Sequence, residues 1–80
     1  MTISPSTFYA ERLDPARNMA RFYALELSED LFGQIWLERR WGRIGTLGQM
    51  KLELIEKDLD PSKRIDVLAR QKTRRGYQPK

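Results

Sequence analysis

The sequence predicts an α+β domain, an antiparallel β-sheet of about four to five strands packed against one C-terminal α-helix. Three features predict it. Four stretches alternate apolar and polar residues with the two-residue period of a strand. The loops between them are short, which makes neighbouring strands antiparallel. After Asp60-Pro61 the apolar period lengthens to that of a helix.

The elements follow in order. Residues 7–13 hold strand-forming aromatics with partial alternation, and Asp14-Pro15-Ala16-Arg17-Asn18 predicts a turn with one short helical turn in it. Residues 21–28 alternate better, with Tyr23, Leu25 and Leu27 on one face. Ser28 to Gly33 reads as a hairpin loop ending in glycine. Residues 34–43 form the next strand. Ile35, Leu37, Arg39 and Trp41 share one face and Trp36, Glu38 and Arg40 the other. Each face carries a tryptophan, so periodicity does not decide which is buried. A loop with Gly45 and Gly48 leads to residues 49–56, where Met50, Leu52 and Leu54 oppose Gln49, Lys51 and Glu53. Asp60 then suits an N-cap and Pro61 the first helical position, because proline has no amide proton to leave unpaired. Ile65, Leu68, Ala69 and Lys72 follow at the spacing of a helix stripe, and Gly76 suits the residue after the helix end.

Eighty residues make one domain over 1–80, its core spanning about 7–77. Eight aromatics and 40% apolar residues supply one core. With neither cysteine nor histidine, there is no disulfide framework, no Ser-His-Asp or Cys-His arrangement and no thiolate or imidazole metal site. Glu56, Asp58 and Asp60 do not match the spacing of a calcium loop. No catalytic residue, cofactor or metal is therefore expected. No apolar run is long enough to span a membrane, and Met1 to Pro5 lack the basic start and apolar stretch of a secretory signal. These features predict a cytoplasmic protein without membrane association. Charge is uneven: residues 1–62 carry a net −2 and residues 63–80 a net +6. A basic segment on a small domain is the footprint expected of a polyanion binder, or else a solvated helix face and tail.

The most informative stretch is Arg39-Arg40-Trp41-Gly42-Arg43-Ile44-Gly45-Thr46-Leu47-Gly48-Gln49-Met50-Lys51-Leu52. An indole face stacks on an unpaired base or terminal sugar for roughly 1–3 kcal/mol whatever the sequence. An arginine supplies a permanently charged fork for phosphate. Gly42 between them lets backbone approach without a Cβ clash. The alternative is that Trp41 plugs the core and Arg43 pairs with a carboxylate such as Glu53. Arg40 is a candidate phosphate contact or a partner of Glu38 or Glu53. Lys51 reaches a phosphate from across the hairpin or is simply a solvated lysine on the open sheet face. Arg74 and Arg75 with Tyr77 combine cations and an aromatic, although Tyr77 also suits packing of the helix end on the sheet. Asn18 is a candidate sugar or phosphate hydrogen-bond donor whose default role is in its turn. Trp36 and Phe32 are assigned to core or loop packing.

The run R-W-G-R-I-G-x-x-G-Q-x-K-L closely resembles the signature of the WGR domain, found in DNA-dependent poly(ADP-ribose) polymerases and in small bacterial proteins. Asn18 to Leu27 resembles the family's Asn-x-x-Lys-Phe/Tyr-Tyr strand, and Lys72 to Tyr77 its closing Lys-Thr-x-Asn-x-Trp/Tyr segment. The resemblance implies an antiparallel sheet with one helix in a small stand-alone bacterial protein. It also implies that Trp41 stacks on a terminal sugar and that Arg43 faces DNA or a neighbouring domain. Arg75 stands where the family often has Asn, and Met50 is larger than the common Thr or Ser. The leading expectation is thus a non-enzymatic module for sequence-nonspecific DNA, at ends, nicks or single-strand junctions, with RNA on the same residues as a variant. The second is a module that docks an acidic protein partner, or a second copy, through the hairpin or the open sheet face. A monomer or weak homodimer is expected.

Overall fold

The computed structural model describes residues 7–80; Met1 to Pro5, read above for a secretory signal, lie outside them. Strands β1 (Thr7–Asp14), β2 (Met19–Glu29), β3 (Ile35–Arg43) and β4 (Gln49–Ile55) are followed by helix α1 (Pro61–Arg74) and a two-residue strand β5 (Gln78–Pro79). All pairings are antiparallel, in the order β4-β3-β2-β1-β5. The α+β class read from the sequence is the one observed. The short β5 pairs Ala10 with Pro79 and Glu11 with Gln78, and two residues including a proline carry no alternation by which to be foreseen.

Each connection has a local cause. Between β1 and β2, Pro15–Arg17 make one tight helical turn, and Asn18 takes the left-handed conformation at φ 53°. Asparagine tolerates that region better than other side chains. Between β2 and β3, the Asp30 carboxylate accepts from the Phe32 amide at 2.8 Å, the Gln34 amide at 2.9 Å and the Trp36 indole N–H at 2.9 Å. These bonds, the indole foremost, hold the Asp30 carboxyl below its ordinary range. They turn Phe32 outward, where it is 84% exposed instead of packed as expected. In the β3–β4 loop Gly48 sits at φ 70°, and a Cβ there would lie 2.3 Å from the Trp41 carbonyl oxygen. A Cβ on Gly42 would meet the Gly48 Cα at 2.7 Å. The two glycines permit the loop to fold back on β3.

Asp60 caps α1 by accepting from the Ser62 amide at 3.0 Å, with Pro61 at the first helical position. At the other end Gly76 takes φ 95°, the Gly76 amide donates to the Thr73 carbonyl and the Tyr77 amide to the Lys72 carbonyl, each at 3.1 Å. That doubly bonded ending reverses the chain and drops Tyr77 into the core.

The helix covers the face carrying Ala10, Tyr23, Leu25, Leu37 and Ile55, to which α1 adds Ile65 and Leu68. Leu25 and Leu37 are fully buried, each contributing on the order of 1.5–3 kcal/mol. Trp41 packs half-buried at one end of this core. The helix thus settles which tryptophan face is covered. On the uncovered face Phe22 is buried beneath Tyr9, their rings stacked at 6.2 Å. There too stand Met50, Leu52 and Leu54, 57%, 52% and 43% exposed. The alternation of β4 is present, but its apolar side faces away from α1. The helix lies over β1 and β2, so the helix-side positions of β4 form a rim on which Lys51 and Glu53 stay polar and only Ile55 is buried.

Candidate nucleic-acid interface

Alternation along β3 places Arg39, Trp41 and Arg43 on the helix side of the sheet. Antiparallel register then sets Tyr23 opposite Trp41 and Arg21 opposite Arg43 on β2, and Lys51 opposite Arg39 on β4. From above, α1 lowers Gln71 and Lys72 beside the indole. Trp41 consequently forms a ridge between two clefts. One, of about 420 Å³, runs between Trp41, Arg39, Lys51, Gln71 and Lys72. The other, of about 380 Å³, lies between Trp41, Arg21, Arg43, Lys72 and Tyr77.

The cations here greatly outnumber their counter-charges. Among the described residues Arg21, Arg43, Lys51, Lys72 and Arg75 make no ion pair. The adjoining carboxylate, Glu53, is held in a fork by Arg64 at 2.8 and 3.1 Å and lies 3.9 Å from Arg39. The Arg64 hydrogen bond lowers the Glu53 pKa and Glu53 raises that of Arg64, so this carboxylate is committed to the helix. The Arg39 Nε is buried with no acceptor among the described residues. Lys72 rests its ammonium 4.6 Å above the Tyr23 ring and 5.5 Å from that of Tyr77. Burial first, and then the guanidiniums of Arg75, Arg39 and Arg21, push the Lys72 pKa below the ordinary lysine range. An incoming anion stabilises the Lys72 ammonium against these neighbours.

A model of the WGR domain matches residues 6–80. The chain belongs to the WGR family. An uncharacterised protein, y4dW of Sinorhizobium fredii (strain NBRC 101917 / NGR234), is 49% identical over all 80 residues, which span 39% of that relative's length. No solved structure gives a significant match. The WGR domain is a nucleic-acid-binding module of the poly(ADP-ribose) polymerases, a binding domain and not a catalytic one, and membership supports a nucleic-acid-binding role. No helix among the described residues is long and apolar enough to cross a membrane.

The WGR motif itself is thus divided by the fold. Trp41 and Arg43 reach the clefts, whereas Gly42 lines one of them and serves the hairpin by leaving room for Gly48. Arg43 donates to the Asn18 carbonyl at 3.2 Å and has no carboxylate partner, so Asn18 supports the site through its backbone. Lys51 joins Trp41 on the helix side, not on the open face. Arg75 adds charge close to Lys72. Tyr77 is buried, edge-on to Tyr23 at 6.4 Å, and forms the floor beneath Lys72 instead of a stacking surface. Two candidates do not join. Arg40 points to the opposite face, 3.9 Å from Glu38, because strand alternation separates it from Trp41. Arg74 lies on the outer side of α1 with Asp66, Arg70 and Thr73.

Three cations of the site, Arg21, Arg39 and Lys72, were not among the sequence candidates. Arg39 shares strand parity with Trp41, and Lys72 is a charged residue in an otherwise apolar helix stripe. Both are signals that the sequence carries.

Proposed function

We propose that this WGR domain binds DNA without sequence preference at strand ends, nicks or single-strand junctions, on the helix side of its sheet. The observation that carries the reading is the Trp41 ridge between two clefts lined by cations that, Arg39 apart, make no ion pair among the described residues. The clefts receive backbone phosphates, with Arg21, Arg43 and Lys72 on one side and Arg39, Lys51 and Lys72 on the other. The exposed edge of Trp41 meets a sugar or base that has lost its stacking neighbour, which singles out interruptions over continuous duplex. No base edge is read, so affinity comes from charge and stacking and falls steeply with salt.

The test is a fluorescence titration against blunt duplex, nicked duplex, single strand and closed hairpin, at low and physiological salt. Salt-sensitive binding that weakens in Trp41→Ala and Lys72→Gln, but stays within twofold in Arg40→Gln, supports the reading. Binding that all three substitutions weaken equally would move the site off the Trp41 ridge. No binding at low salt would remove a nucleic-acid role and leave docking of an acidic protein as the better account.

A further inference from the structure

The two edges of the sheet are finished differently. On one side β5 is two residues long and contains Pro79, a short edge that offers little to a neighbour. On the other side β4 runs for seven residues, Gln49–Ile55, and contains no proline. It pairs one-to-one with β3 from Trp41↔Gln49 to Ile35↔Ile55 without a bulge. Among the described residues no backbone hydrogen bond reaches β4 from outside the sheet. Its uncovered-face side chains Met50, Leu52 and Leu54 are about half exposed. Such an edge is a template for another strand.

We propose that β4 is a homodimer interface, on which the β4 of a second copy pairs antiparallel about Leu52. What selects a second copy is the self-complementarity of Gln49-Met50-Lys51-Leu52-Glu53-Leu54-Ile55. With the twofold axis at Leu52, Leu52 meets Leu52 and Met50 meets Leu54 on the uncovered face. On the helix face Lys51 of each copy stands across from Glu53 of the other, whose carboxylate keeps its fork to Arg64 and sets an opposite charge against the lysine. Cross-strand apolar and opposite-charge pairs are both stabilising, and every pair but the axial Leu52–Leu52 occurs twice, as twofold symmetry requires. Neighbouring registers are worse. Moving the axis by one residue sets Lys51 against Lys51 or Glu53 against Glu53, like charges directly opposed. The product is a ten-stranded sheet with both helices, and both Trp41 ridges, on the same side. The two readings share Lys51, but the pairing of β4 does not depend on what the Trp41 side binds.

The chain contains no cysteine, which allows a register-specific test on the whole protein. Sedimentation across the micromolar to millimolar range is expected to show a reversible dimer. Leu52→Lys, on an exposed position, is expected to weaken it by roughly tenfold or more, by placing two ammoniums at the axis. Circular dichroism checks that the variant stays folded. Under mild oxidation Leu52→Cys is expected to cross-link to itself. Met50→Cys and Leu54→Cys are expected to cross-link when mixed but poorly alone. A monomer at every concentration overturns the proposal. So does a dimer that Leu52→Lys leaves intact, or one in which the Met50→Cys and Leu54→Cys chains cross-link no better mixed than alone.

Discussion

Lys72 is where the chemistry of the site is most directly testable. Its pKa is lowered in the folded chain by burial and by three arginines, so the unfolded chain holds more protons between that lowered value and the ordinary lysine value. Stability of the unliganded protein therefore rises with pH through that window. A bound phosphate reverses the effect by favouring the ammonium. DNA binding is expected to take up protons in the same window, and affinity to fall as pH rises through it. Calorimetry in two buffers of different ionisation enthalpy measures the uptake, and Lys72→Arg, permanently charged, is expected to abolish it. At Trp41 two roles are superposed, because the ring both closes the core and edges the clefts. Trp41→Ala is expected to lose roughly 1–3 kcal/mol of DNA affinity and to lower the melting temperature. Trp41→Leu, which keeps apolar bulk without a wide ring, is expected to recover the melting temperature more fully than the affinity.

The secondary-structure elements owe their positions to a few local bonds, and their removal has graded consequences. Asp60→Ala strips the cap from α1, at about 1 kcal/mol or roughly 4–8 °C of melting temperature in a domain this small. Gly45 and Gly48 lie in one loop at positive φ, yet an added Cβ meets nothing within 4 Å at Gly45 and backbone at 2.3 Å at Gly48. Gly48→Ala is therefore expected to destabilise far more than Gly45→Ala in parallel thermal melts, and to weaken DNA binding by displacing Trp41. Glu53 ties β4 to α1 through Arg64, and that bond lowers its pKa. The stability this supplies is complete above the ordinary glutamate pKa and is lost as pH falls toward the lowered native value. Glu53→Gln is expected to melt lower at neutral pH and to show a shallower acid decline.

At the scale of the whole molecule the sheet separates two surfaces of different character. The helix side collects Arg39, Trp41, Arg43 and Lys51 from the net-negative part of the sequence beside Lys72 and Arg75 from the basic part. Log affinity for duplex DNA is expected to fall linearly with log salt, and Lys72→Gln or Arg21→Gln to reduce that slope by about one each. The strands and the helix were legible because alternation and an Asp-Pro cap are local signals. Which face the helix covers was not, since Trp36 and Trp41 stand on opposite faces of β3 and the apolar side of β4 falls on the Trp36 face. Lys72 and Arg21 are distant in sequence from the WGR motif: docking of α1 on the sheet brings Lys72 to it, and the β2–β3 register brings Arg21. Tyr77 was ambiguous until the reversal at Gly76 fixed its direction.

The placement of the two indoles has a spectroscopic consequence. Trp36 is fastened to Asp30 on the uncovered face and lies opposite Leu54, one strand in from the β4 edge that would meet a second copy; Trp41 stands among cations on the helix face. Each surface therefore carries its own fluorophore. In Trp36→Phe the remaining emission comes from Trp41 and should be quenched by stacking on nucleic acid; in Trp41→Phe it comes from Trp36 and should shift when chains associate. Two single-tryptophan proteins, free of any added dye, would then separate ligand capture from self-association by colour and intensity alone.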